Sequence, residues 1–354
     1  MGAKLLLEDG SIFYGTPIGT KENIEAEVVV TTSMTGFQET LTDPSYCNQI
    51  VTFTYPLVGN CGINRQDFES STSHVSAIIT KELCVSPSHF EKKIDFDEYL
   101  KSCKITGLTG VDTRKLANLI RTKGTMKGKV ICDDEKPVST PTNDLVKTVT
   151  TVKPYVVPGG KDRIVALDFG VKKSLLESLS NLEATVIVLP AFSSFEEIMS
   201  YEPDGILLSN GPGDPKDISE VIPTIKKLLE EQIPLLGICL GHQLLGLSLG
   251  FESVKMKYGH RGGNHPVKDL DTKKVWITSQ NHGYTLKASE VLDNIRITHV
   301  NLNDDTIEGF VHKSLPVLSV QFHPEAGPGP QDSKDILFNF SKLIKKSKVG
   351  DYHG

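Results

Sequence analysis

From Arg163 onward, short apolar runs alternate with amphipathic segments, and this alternation restricts the fold more than any other feature. RIVALDFG (163–170), ATVIVLP (184–190), DGILLSNGPGDP (204–215) and IPLLGICLG (233–241) read as buried strands. KKSLLESLSNL, SFEEIMSYEP and EVIPTIKKLLEEQ, lying between them, read as helices. Strands that are apolar on both faces and separated by helices predict an α/β domain, with a mainly parallel sheet and helices on both faces. After residue 250 the pattern turns strand-rich: KKVWITSQNHG, NIRITHVNL, TIEGFVHK and VLSVQFHPE. A basic C-terminal helix, DILFNFSKLIKKSK, follows.

A chain of 354 residues is too long for one ordinary core. Polar, proline-bearing stretches between 133 and 160 (DDEKPVSTPTND, VKPYVVPGGKD) read as connections. They predict a smaller mixed α/β domain over 1–150 and a larger domain over 160–350. In the first domain, KLLLEDGSIFYG reads as a hairpin turned at the Asp-Gly pair, and EAEVVVTTSMTG and QIVTFTYPLVG read as strands.

A net charge of −6 argues against nucleic acid as a partner, and Lys123, Lys127 and Lys129 read as a solvated face. The N-terminus reaches acidic residues too early for a secretory segment, and no run is apolar enough for a membrane span. Six scattered cysteines without a CxxC pair suggest free thiols in a reducing, cytoplasmic setting. His260, His265 and His282 form no compact ligand motif. No metal is expected there, and GHRGGNHP and SQNHG read as polar loops lining a substrate pocket.

The chemistry concentrates in three stretches. GICLG follows the G-x-nucleophile-x-G pattern, in which a sharp strand-to-helix turn lifts Cys239 off the sheet. Gly237 and Gly241 give that turn room. The helix start favours thiolate and aims the Leu240 N–H at a developing oxyanion. Alone, the pattern leaves a buried structural cysteine equally open. SVQFHPE ends a second apolar strand, and in extended chain His323 and Glu325 would point the same way, a base beside a carboxylate. SNGPGDP ends a third, its glycines letting backbone N–H groups face a cavity. No Walker lysine follows it, which disfavours a phosphate loop.

GICLGHQLLG, NGPGDP and HPE together resemble the class I, triad-type glutamine amidotransferases, over roughly residues 160–345. MTGFQETLTDPSYCNQIVTFTYPLVGNCG (34–62), GVDTRKL (110–116), GHRGGNHPV and SQNHG extend the resemblance to the small-subunit family of carbamoyl phosphate synthetase over nearly the whole chain. The resemblance implies a glutaminase with Cys239 as nucleophile, His323 as base and acid, and Glu325 as its orienting partner. It implies glutamine binding by Ser45, Gly211, Gly213, Leu240, Gln243, Asn281, Gly283 and Tyr284. It further implies no cofactor in this chain, a large-subunit partner carrying ATP and magnesium, and carbamoyl phosphate for pyrimidine or arginine synthesis. Tyr284 stands where many relatives have Phe, and Phe322 where several have Gly. The competing readings are a different amidotransferase subunit, a stand-alone cysteine amide hydrolase and a non-catalytic regulatory subunit.

Overall fold

The computed structural model describes residues 2–140, 144–288 and 293–349. It divides into two compact units: residues 1–145 with 257–262, and residues 146–256 with 263–354.

In the first unit, the strands are β1 (Ala3–Leu7), β2 (Ile12–Gly19), β3 (Asn23–Thr31), β4 (Gln49–Phe53), β5 (Leu57–Val58), β6 (Ala77–Ile79), β7 (Glu82–Leu83), β8 (Thr106–Thr109), β9 (Met126–Ile131) and β10 (Val138–Ser139). The expected hairpin is present: β1 and β2 pair antiparallel from Ala3↔Gly15 to Leu6↔Ile12, and Gly10 takes φ +84 in the turn. The sheet runs β10-β3-β4-β6-β8-β2-β1-β9, and a further β3–β9 pairing closes it on itself. Closure leaves few open edges. Adjacent residues serve opposite faces, as the strand period of two requires. Val28 and Ile50 join one core cluster with Leu116 and Ile120 of the helix Thr113–Lys123. Val29 and Val51 join another with Phe96 and Leu100 of the helix Phe96–Ser102.

The second unit holds β11 (Tyr155–Val157), β12 (Asp162–Asp168), β13 (Ala184–Pro190), β14 (Gly205–Leu208), β15 (Leu235–Ile238), β16 (Glu252–Asp269, apart from residues 257–262), β17 (Val275–Lys287), β18 (Ile295–Asn301), β19 (Ile307–His312) and β20 (Val317–Val320). Their order is β11-β13-β12-β14-β15-β20-β19-β18-β16-β17, with β13, β12, β14, β15 and β20 all parallel. The apolar runs behave as expected of strands covered on both faces. Val165, Leu167, Ile206 and Leu208 pack with Ile198, Ile225, Leu228 and Leu244 from helices on one side. Ile164, Ala166, Leu207 and Leu236 pack with Leu175, Leu179, Phe340 and Ile344 from helices on the other.

Several stretches differ from the sequence reading, among them DDEKPVSTPTND, read as a connection, whose Val138–Ser139 form β10 beside β3. VKPYVVPGGKD, read as a connection, contains β11, which adds antiparallel to the sheet edge at β13; its Tyr-Val-Val core suits a strand despite the flanking prolines. GHRGGNHP, read as a loop, lies within β16, and SQNHG, read both as the end of a strand-rich stretch and as a pocket loop, lies within β17. Paired backbone keeps these polar residues extended, and Gly262 at φ +146 adopts an angle unsuited to a side chain. Residues 141–143 of the expected linker lie outside the described residues. No described helix is long and apolar enough to cross a membrane.

Phe340 and Phe338 share the helix Asp335–Val349, but Phe340 is fully buried while Phe338 is half exposed. Phe340→Ala is expected to cost about 3–5 kcal/mol in urea unfolding, and Phe338→Ala less than about 1 kcal/mol. Equal losses would contradict the packing described.

Candidate active site

The three motifs sit at the carboxyl ends of adjacent parallel strands. β15 pairs β14 on one side (Leu208↔Gly237) and β20 on the other (Ile238↔Val320). NGPGDP, the GICLG turn and HPE therefore emerge side by side, where open α/β sheets bind ligands.

Cys239 takes φ +53, ψ −104 between β15 and the helix Leu240–Ser248, a strained conformation for a non-glycine residue. The turn is held by Cys239 N–H donating to Val320 O (3.0 Å) and Gly241 N–H donating to Ser209 O (2.9 Å). Both neighbouring glycines are sterically required. A Cβ on Gly241 would stand 2.0 Å from Leu208 O, and one on Gly237 would stand 2.8 Å from Gly241 O. The thiol is buried and donates to the Asn281 carbonyl on β17 at 3.6 Å. A buried structural thiol needs no strained turn of this kind, so the geometry favours the nucleophile reading.

HPE is not the extended continuation that its sequence suggests. β20 stops at Val320, and His323–Glu325 form a turn closed by Ala326 N–H to His323 O (3.1 Å). The turn still brings His323 Nδ1 to 2.8 Å from Glu325 Oε1. The backbone of β17 anchors it, His323 N–H donating to Ser279 O at 2.9 Å. Because the carboxylate can only accept, Nδ1 carries the proton and Nε2 is left for other chemistry. Nε2 has no hydrogen-bond partner among the described residues, yet the Cys239 thiol is near enough to raise the imidazole's pKa. Phe322, buried next to His323 in the chain, packs edge-on against Trp276 and His299.

Sequence reasoning missed Lys172. Its Nζ lies 2.9 Å from the same Glu325 Oε1 and 2.5 Å from Ala326 O, and all three side chains of the cluster are buried. Lys172 occupies the N-cap of the helix Lys173–Ser180, where the helix dipole disfavours a cation. That misfit was the available signal, but nothing local separates it from exposed Lys173, which pairs with Glu177. Burial alone would raise the Glu325 pKa. The Lys172 and His323 charges outweigh it and hold the carboxyl down at about 2. Burial is the largest single influence on His323 and pulls it down, as Lys172 also does; the Glu325 charge, the nearby Cys239 thiol and the hydrogen bond to Glu325 together outweigh them and raise it to about 10.

Of the expected glutamine-binding residues, Gln243, Asn281 and Tyr284 converge with Cys239: Gln243 Nε2 donates to the Tyr284 carbonyl at 2.9 Å. Gly283 lies beside them on β17, and Leu240 opens the helix that follows Cys239. Gly211 has a packing reason of its own, since a Cβ there would stand 2.2 Å from Phe169 O; Gly213 takes φ +95. Ser45 belongs to the first unit, in a buried 3-10 turn where its N–H donates to Asp43 Oδ1 at 2.9 Å. His242, next to Gln243, is a core histidine: its Nδ1 meets Ser319 Oγ at 2.6 Å, and burial drops its pKa to about 3.

The fold and the strand-end motifs define a class I glutamine amidotransferase domain. The family model described as glutamine amidotransferase class-I matches residues 165–343. A second, described as carbamoyl-phosphate synthase small chain, CPSase domain, matches residues 5–130. The chain is 50% identical to the carbamoyl phosphate synthase small chain of Bacillus caldolyticus, over 99% of each chain. It is 49% identical to the carbamoyl phosphate synthase pyrimidine-specific small chain of Bacillus subtilis (strain 168), covering 98% of this chain and 97% of that one. A glutamine amidotransferase structure from Thermotoga maritima aligns at 20% identity and TM-score 0.39, over 53% of this chain and 86% of that one. The chain belongs to the carbamoyl phosphate synthase small-chain family, the glutamine-hydrolysing subunits of that synthase.

Two outcomes test the site's construction. Gly241→Ala should lower glutaminase activity by orders of magnitude, because the new methyl cannot coexist with Leu208 O unless the turn moves; near-normal activity would contradict the elbow geometry. The charge cluster gives a pH signature. Glu325 is depressed, so its stabilisation is present above its unfolded value of about 4.3 and is lost as pH falls through about 2. His323 is raised, so its stabilisation is full below about 6.5 and is lost as pH rises through about 10. The stability difference between wild type and Glu325→Gln, from urea midpoints, should therefore shrink at both extremes. A pH-independent difference would rule out the coupling.

Proposed function

We propose that the chain hydrolyses glutamine through a Cys239 thioester and delivers the ammonia to a large synthase chain. That chain would use ATP, magnesium and bicarbonate to make carbamoyl phosphate. The carrying observation is the strained Cys239 turn beside the His323–Glu325 pair on adjacent strand ends.

Cys239 passes its proton to His323 Nε2, and the thiolate attacks the side-chain amide carbon of glutamine. The backbone N–H groups of Leu240 and Gly213 receive the oxyanion. Imidazolium His323, stabilised by Glu325, protonates the departing ammonia through Nε2. The neutral imidazole then takes a proton from water, which attacks the thioester and releases glutamate. Lys172 keeps Glu325 ionised throughout. Within the second unit, glutamine is held by Gly211, Gly213, Leu240, Gln243, Asn281, Gly283 and Tyr284. The first unit docks the large chain, and the enzyme works in the cytoplasm. The pyrimidine-specific name of the Bacillus subtilis relative supports pyrimidine synthesis as the destination.

Assayed with its large chain, Cys239→Ser should lose glutamine-dependent carbamoyl phosphate synthesis by several orders of magnitude while retaining synthesis from ammonium chloride. Wild type should need the large chain, ATP and bicarbonate to form carbamoyl phosphate. Brisk glutamine hydrolysis that never yields carbamoyl phosphate in the full mixture would instead favour a stand-alone hydrolase.

A further inference from the structure

The segment that carries the base also carries a buried amide that the mechanism does not use. Gln321 lies between β20 and His323 and is fully buried, with its backbone N–H fixed to Glu308 O at 2.9 Å. Its Oε1 is 3.0 Å from Gln243 Nε2. Gln243, also buried, has a second contact from the same nitrogen, to the Tyr284 carbonyl at 2.9 Å.

These contacts fix both amide orientations by chemistry alone. A backbone carbonyl can only accept, so the group facing Tyr284 O must be the NH2 of Gln243. Its second proton meets Gln321, which must then present its own oxygen. The arrangement has a cost: Gln321 Nε2 is buried without an acceptor among the described residues. Rotating Gln321 would set two NH2 groups against each other, so the orphaned donor is a consequence of holding Gln243. With both protons of Gln243 turned into the protein, its Oε1, which accepts from no described residue, is the group it offers outward. A carbonyl oxygen beside the nucleophile can only receive a donor. Of the two charged ends of an amino-acid substrate, it recognises the α-ammonium and not the α-carboxylate.

The geometry points to Gln321 as a positioning residue for substrate recognition: it locks the Gln243 amide so that Oε1 faces the α-ammonium of glutamine. This rests on the glutaminase reading above. It makes the QFHPE segment do two jobs, setting the substrate's amino end through Gln321 and moving protons through His323.

The test compares glutamine with glutaramate, the same molecule without its α-amino group, on the purified full chain. In Gln321→Met, which keeps the length and removes the acceptor, KM for glutamine should rise about tenfold with kcat little changed, the loss of one charge-assisted hydrogen bond. The Ki of glutaramate as a competitive inhibitor should change less than twofold. Gln321→Glu keeps an acceptor oxygen and should restore KM toward wild type. Should Gln321→Met fold poorly, Gln321→Asn withdraws the acceptor by one methylene and carries the same expectation. Equal weakening of glutamine and glutaramate would mean that Gln321 only supports the fold, or that Gln243 reads the substrate's side-chain amide; either overturns the proposal while leaving glutaminase activity intact. No glutamine turnover by wild type would overturn both readings.

Discussion

One carboxylate oxygen organises the chemistry of this chain. Glu325 Oε1 accepts from His323 Nδ1 and from Lys172 Nζ, with none of the three side chains in water. A buried carboxylate with one cationic partner recovers its desolvation only partly. With two it stays ionised, and an ionised Glu325 holds the His323 imidazolium through Nδ1. Lys172 comes from the loop after β12, whereas His323 and Glu325 follow β20, two strands beyond β14 in the sheet. The cluster exists only if β12, β14, β15 and β20 are in register, so correct assembly of the sheet and correct ionisation of the site are one event.

The same sheet supplies the strain. Cys239 can hold φ +53 because Val320 O on one neighbouring strand and Ser209 O beyond the other grip the backbone on both sides of it. Gly237 and Gly241 are consequences of that grip. Their missing side chains let Leu208 and the first helical turn close to distances that no Cβ would permit. The helix Leu240–Ser248 is itself apolar nearly all round, so its placement is fixed by burial and does not depend on the site it begins.

Much of this was legible in the sequence because it rests on local periodicity. ATVIVLP begins and ends as β13 does, and the parallel strands follow from runs apolar on both faces. GICLG could be read as a turn because its glycines are a local steric demand. What could not be read is long-range or ambiguous. Lys172 is one of two adjacent lysines, distinguished only by a partner 153 residues away. β11 was hidden by flanking prolines, since edge pairing to β13 is not a property of its own residues. GHRGGNHP lacks the apolar alternation of a strand, and its extended form comes from neighbouring strands. HPE was placed on the right strand but in the wrong conformation: a turn gives the His–Glu contact that an extended chain was expected to give.

The clearest limit on sequence reading is a pair of histidines. His242 and His323 are both buried, and each uses Nδ1 for a short hydrogen bond. One meets the Ser319 hydroxyl and is pushed to about 3; the other meets an ionised carboxylate and is lifted to about 10. Desolvation acts on both in the same direction, so the partner decides the sign. His242 directly follows the GICLG turn and is, by motif alone, the more conspicuous of the two. Neutral across the physiological range, it cannot donate a proton to a leaving amine, so it serves as core on the buried face of the helix Leu240–Ser248. Burial without a counter-charge keeps a histidine neutral, and burial with one keeps it protonated. The counter-charge here is fixed by the fold, through the Lys172 that keeps Glu325 ionised.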